Sequence, residues 1–133
     1  MTGAKPDRRR AIVVDDALLA RRMIGDALRY FGFEVVGEAG NGKEAVKICD
    51  EMKPGLVTLD WNMPGPSGVD TLRGIFRAAP MAVVIVITAL KGKLVERDAI
   101  AAGASAVLSK PFRREDIEAA LEKLGLELPA RVD

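Results

Sequence analysis

The stretch LVTLDWNMPGPSGVD, residues 56–70, holds a strand, an acid, a chain break and a helix start in one short run. Leu56–Leu59 is apolar almost without interruption, the mark of a strand buried on both faces of a parallel sheet. The run ends on Asp60. Met63-Pro64-Gly65-Pro66 then breaks the chain, and Ser67-Gly68-Val69-Asp70 reads as a capping box that opens a helix. An acid in that position is explained by a surface turn, and equally by a reactive carboxylate held at the rim of a sheet.

The same alternation extends in both directions. Apolar runs at Ala11–Val14, Glu34–Glu38, Val83–Ile87 and Ala106–Leu108 predict four further strands. Helical spacing aligns Ala20, Ile24, Ala27, Leu28 and Phe31, then Ala45, Cys49 and Met52, then Val69, Leu72, Phe76 and Ala79, and finally Ile117, Ala120, Leu121 and Leu124. The stretch from Leu94 to Ala102 is less clearly amphipathic, with Gly103 as its expected stop. The helix after Lys110 shows no capping residue, only Glu115 and Asp116 to suit the helix dipole. The order βαβαβαβαβα is that of a three-layer α/β/α sandwich around a parallel sheet.

With 133 residues the chain fits one domain, and 49% apolar with 29% charged residues is ordinary for a soluble globular protein. A net charge of +1 points to neither a nucleic-acid binder nor a membrane-surface protein, and Arg8-Arg9-Arg10 reads as a solvated flank. No apolar run approaches the ~20 residues of a membrane span, and no signal-peptide core follows Met1. Cys49 is the sole cysteine, which excludes a disulfide framework and fits a reduced cytoplasm. The absence of histidine removes imidazole bases and most transition-metal sites. The expected organisation is an N-terminal extension over 1–8, one domain over 9–125 and a short tail over 126–133.

Parallel sheets of this kind bind ligands at the carboxyl ends of their strands. There the first strand delivers Asp15 and Asp16, the third Asp60, the fourth Thr88 and the fifth Lys110. Taken singly, an Asp in such a place usually caps a helix, and a Thr or Lys usually faces solvent. Together they form a chemical set. Three clustered carboxylates repel one another unless a cation joins them, and Mg²⁺ is the natural guest for hard oxygen ligands. Lys110 and the Thr88 hydroxyl could then meet the oxygens of a phosphoryl group, leaving Asp60 free to act as nucleophile and form an acyl phosphate.

At this point IVVDD, TLDWNMPGPSG, VIVITAL and LSKPF resemble the receiver domain of two-component response regulators, over roughly residues 9–125. The resemblance implies a flavodoxin-like receiver fold, its five-stranded parallel sheet in the order 2-1-3-4-5. It implies Asp60 as phosphoacceptor, Asp16 as a direct Mg²⁺ ligand, Asp15 acting through water, and the backbone carbonyl of Asn62 completing the metal shell. Thr88 would be the switch hydroxyl, Lys110 the phosphoryl contact, and Lys110-Pro111 a cis bond. DWNMP is most similar to the stand-alone chemotaxis regulators of the CheY type. A sensor histidine kinase is then the expected phosphodonor and the flagellar motor switch a possible target, with the helices from Leu94 and from Asp116 flanking the output face. The alternative is a phosphorelay intermediate or a diffusible regulator of another target. One departure concerns output: Val107 stands where the family often places a switching Tyr or Phe.

Rival readings have specific weaknesses. Gly37, Gly42 and Lys43 approach a phosphate-loop pattern, but Glu44 replaces the hydroxyl residue it needs. Gly40-Asn41-Gly42 with Ala45 mimics a dinucleotide fingerprint, yet that would leave Asp15, Asp16, Thr88 and Lys110 without a role; the glycines read as a turn with Asn41 capping a helix. A haloacid-dehalogenase-type phosphatase would use a similar set, but wants an acid where Asn62 stands. A binding module with a vestigial acidic site remains the third possibility.

Overall fold

The computed structural model describes residues 9–90 and 92–125, and the expected N-terminal extension and C-terminal tail lie outside the described residues. Strands β1 (Arg10–Val14), β2 (Glu34–Ala39), β3 (Leu56–Leu59), β4 (Val83–Thr88) and β5 (Ala106–Ser109) alternate with helices α1 (Leu18–Tyr30), α2 (Gly42–Met52), α3 (Gly68–Ala78), α4 (Lys93–Ala101) and α5 (Arg114–Lys123). All strand pairs are parallel, in the expected order β2-β1-β3-β4-β5.

Burial explains why the strands read differently in the sequence. Every residue of β3 is buried, as is nearly all of β1 and β4, and these central strands have the continuous apolar runs. The edge strands β2 and β5 are mostly half-buried and correspondingly mixed in composition. Successive residues of each strand point to opposite faces. Thus Ala11, Val13, Ile85 and Ile87 pack with Ile24 and Leu28 of α1 and Ile117 and Leu121 of α5. Ile12, Val14, Val57, Leu59, Val84 and Val86 pack on the other face, with Cys49 of α2, Leu72 and Ile75 of α3 and Ala99 of α4.

The helix starts follow local chemistry. Asn41 Oδ1 accepts from the Glu44 N–H at 2.9 Å, while Glu44 Oε2 accepts from the Gly40 N–H at 3.2 Å. The glycine-rich turn is therefore a helix cap, as its residues suggest. Gly42 also permits a close approach, since a Cβ there would lie 2.2 Å from Thr71 Oγ1 of α3. Ser67 Oγ accepts from the Asp70 N–H at 3.1 Å and so caps α3.

The start of α5 departs from expectation. It is capped from within, because Asp116 Oδ2 reaches back to accept the Arg113 N–H at 2.8 Å. The arginine at the cap position has no side-chain acceptor, so the contact at that end runs from the returning carboxylate instead. α4 matches its weak pattern: it starts after Gly92 without a side-chain cap and buries only Ala99. Gly103 ends that helix as expected, with φ of +114° in the region that favours glycine. Among the described residues, no helix is long and apolar enough to cross a membrane.

Candidate functional site

The rim is assembled by backbone ladders that run one residue past the strands. The Asp15 N–H donates to the Ala39 carbonyl at 3.0 Å, the Asp60 N–H to the Val14 carbonyl at 3.0 Å, and the Lys110 N–H to the Thr88 carbonyl at 2.9 Å. Residues far apart in the chain are thereby delivered side by side. One carboxylate oxygen from each of Asp15, Asp16 and Asp60 lies within 4.8 Å of the other two.

The three acids are not equivalent. Asp15 is fully buried, Asp60 nearly so, and Asp16 is exposed. Asp15 Oδ1 accepts from the Ala17 N–H at 2.9 Å, and its Oδ2 accepts from Lys110 Nζ at 2.6 Å. The same ammonium reaches Asp60 Oδ2 at 3.3 Å, while Asp60 Oδ1 accepts from the Asn62 N–H at 3.1 Å. Among the described residues, the Asp16 carboxylate has no hydrogen-bond or ion-pair partner. Burial pushes the Lys110 ammonium toward losing its proton, but its contacts with Asp15 and Asp60 outweigh that and hold its pKa above the ordinary lysine value.

Asp15, Asp16, Asp60 and Lys110 thus meet directly. Thr88 is brought to the same edge by strand register, opposite Ser109 of β5, rather than by a bond to those side chains. It is fully buried, and its Oγ1 accepts from the Leu90 N–H at 3.2 Å. Asn62 is exposed on the loop and joined to the group through its backbone N–H. Lys110-Pro111 is cis. Trp61, next to Asp60, packs over the first residue of α3: a Cβ on Gly68 would lie 2.4 Å from the indole.

The donor set fits a small, hard divalent cation. Three carboxylates face one ammonium, which leaves surplus negative charge, and Asp16 offers unpaired oxygens on the open side. No thiolate or imidazole is present to favour a softer ion.

Two features have no sequence signal of their own. Arg21 of α1 donates through Nη1 to the Asp15 carbonyl at 2.6 Å and through Nε to Glu38 Oε1 at 3.1 Å. In sequence it is one arginine of an adjacent pair, with nothing local to mark its partners. The second is a groove of about 570 Å³ along α4, β5 and α5, lined by Glu96, Ile100, Val107, Ser109 and Pro111 among others. Val107 there is half-buried and packs on the α2–α4 core.

Comparison with known proteins agrees with the geometry. Residues 11–122 match the response regulator receiver domain family. The chain is 40% identical to the chemotaxis protein CheY of Thermotoga maritima over 116 residues, covering 87% of this chain and 97% of that protein. It is 41% identical to the transcriptional regulatory protein PdtaR of Mycobacterium tuberculosis, over 92% of this chain and 62% of that protein. Among solved structures, a chain of the CheX–CheY–BeF3–Mg²⁺ complex from Borrelia burgdorferi superposes with a TM-score of 0.82 at 26% identity, covering 89% of this chain and 90% of that one.

Proposed function

Because the chain belongs to the response regulator receiver family, we propose that it is a stand-alone phosphorylation switch whose acceptor is Asp60. The receiver domain in this reading is residues 9–125, with 1–8 and 126–133 as flanks. Receivers of this family are phosphoacceptor switches rather than classical enzymes. The observation that carries the proposal is the pairing of a nearly buried Asp60 with Lys110 beside two further acids.

An Asp60 carboxylate oxygen forms the new bond to phosphorus as the P–N bond of the donor's phosphohistidine breaks; the leaving imidazole nitrogen keeps the electron pair and takes a proton. Lys110 Nζ, already at Asp60 Oδ2, meets the charge on the incoming phosphoryl oxygens. The Asn62 N–H orients the other oxygen of the nucleophile. Thr88 supplies a hydroxyl that can donate to a phosphoryl oxygen while it accepts from the Leu90 N–H in the loop before α4. Mg²⁺, held by Asp15, Asp16, Asp60 and the Asn62 carbonyl, would supply charge neutralisation when bound. The free carboxylate of Asp16 supports direct ligation. The fully engaged carboxylate of Asp15 supports a role through water. Asn62 has no proton to give a leaving group, which weighs against a phosphatase. Hydrolysis of the phosphoaspartate is assigned to the same residues.

The phosphodonor is a sensor histidine kinase. The similarity to CheY supports a chemotaxis target such as the flagellar motor switch, reached through the α4–β5–α5 face. The similarity to PdtaR favours a second reading, in which the switch regulates a different target from the same cytoplasmic compartment.

Incubation with acetyl phosphate and Mg²⁺ is expected to add the mass of one phosphoryl group, lost in Asp60→Asn and prevented by a chelator. Labelling of Asp60→Asn at the wild-type level would overturn the assignment. Capture from lysate with and without beryllofluoride separates the two targets: a motor component retained only with beryllofluoride supports the first, a transcription component the second.

A further inference from the structure

Arg21 is the one basic side chain of α1 that the fold uses twice. Its Nη1 donates to the backbone carbonyl of Asp15, and its Nε to the carboxylate of Glu38 in β2. Glu38 precedes Ala39, whose own carbonyl receives the Asp15 N–H. Asp15, just past the end of β1, is therefore held through its N–H by the β2 backbone and through its carbonyl by a side chain that is itself anchored on β2.

This pair differs from two surface pairs of the molecule. Arg29–Asp26 and Lys53–Asp50 join neighbours on single helices, with side chains 52%/80% and 59%/69% exposed. Arg21–Glu38 joins two elements, and the arginine is only 19% exposed. Exposed helical pairs of the former kind contribute little to stability. A guanidinium that spends two donors on acceptors in different elements has a fixed position, and it is shielded enough from water for that position to matter.

We infer that Arg21 is the positioning residue of the acidic rim. By holding the Asp15 carbonyl, it sets the turn in which the Asp15 carboxylate points inward to Ala17 and Lys110 while Asp16 is left outward and unpaired. It touches the backbone of Asp15 and not its carboxylate, so it acts through the acids rather than on the phosphoryl group or the cation. A lysine would fill this role only in part. Its ammonium is a point donor, whereas the two acceptors are met here by two nitrogens of one rigid plane. The functional consequence rests on reading the rim as a cation-dependent phosphorylation site, but the positioning itself does not.

The test uses the full chain with Arg21→Ala, Arg21→Lys and Glu38→Gln, and two readouts. Amide exchange of Ala17 reports the orientation of Asp15 without any metal, because that N–H donates to Asp15 Oδ1. Trp61 fluorescence during a Mg²⁺ titration reports affinity. Arg21→Ala is expected to speed Ala17 exchange roughly fivefold or more, with the Leu121 amide of α5 unchanged. Its Mg²⁺ affinity should fall on the order of tenfold, the usual effect of removing a group that orients a ligand. Arg21→Lys should recover part of both losses, and Glu38→Gln should reproduce a smaller version of them. An Ala17 rate in Arg21→Ala within about twofold of wild type overturns the inference. So does an unchanged affinity where the wild type binds Mg²⁺. If the wild type does not respond to Mg²⁺, the functional reading fails while the exchange result still decides the inference. If Arg21→Ala does not fold, Arg21→Lys and Glu38→Gln decide it: an Ala17 rate and a Mg²⁺ affinity both indistinguishable from wild type in the two variants overturn the inference.

Discussion

At the β1–β3 end of the rim, every backbone and carboxylate group of Asp15 has a partner. At the β4–β5 end, the Thr88 hydroxyl has, among the described residues, only the Leu90 N–H, and α4 beyond it buries a single residue. Of the helices, α2 and α3 carry side-chain caps, from Asn41 and Ser67, whereas α1 and α4 start without one. One end thus fixes the Asp15 side chain firmly. The other is held by fewer contacts and can rearrange at less expense.

The comparison can be broken most directly in the core. Ile75→Ala in α3 removes a fully buried side chain and is expected to lower stability by about 2–5 kcal/mol. Ile100→Ala in α4, at a side chain 46% exposed, should change it by no more than about 0.5 kcal/mol. Chemical denaturation of both variants measures the contrast, and equal losses would refute it.

Next in size is Lys110→Met. It leaves the buried Asp15 and Asp60 carboxylates without their common cation, and a loss of about 3 kcal/mol is expected, the low end for a broken buried pair. Mg²⁺ should restore more stability to this variant than to wild type, as thermal denaturation with and without the ion would reveal.

Asn41→Ala and Ser67→Ala should each lower stability by about 1 kcal/mol through loss of a helix cap. The smallest pH-dependent effect belongs to Cys49, whose thiol burial pushes up to about 12 from an ordinary 9.0. The folded state keeps that proton between those values and the unfolded chain releases it. This contribution is whole below pH 9 and declines as pH rises toward 12. Beside a pH-independent cost for the deleted core sulfur, Cys49→Ala should therefore lose about 1 kcal/mol less than wild type between pH 8 and pH 10, as denaturation at the two pH values would show.

How far the sequence was legible depended on the range of the signal. Asp60, Asp15, Asp16, Thr88 and Lys110 could be picked out because each sits at the end of an apolar run, and strand ends in a parallel sheet share one edge. The Asn41 and Ser67 caps were legible because a cap is a contact over three residues. The Asp116 contact was not, although its range is equally short, because its direction is reversed: the acceptor sits inside the helix rather than at its cap.

By itself, then, the sequence determined the order of elements, the two-faced burial of the central strands and the convergence of acids and a lysine on one rim. All of these follow from periodicity and from where runs stop. Only the tertiary structure decided that Asp15 is the buried acid and Asp16 the open one, that Lys110 pairs with an acid 95 residues away, and that Arg21 bridges β1 and β2. Adjacent residues at a strand end look alike in sequence, and their exposures are set by what packs against each. A contact between distant side chains leaves no local pattern, since either partner alone is an ordinary surface charge until the fold brings the other to it.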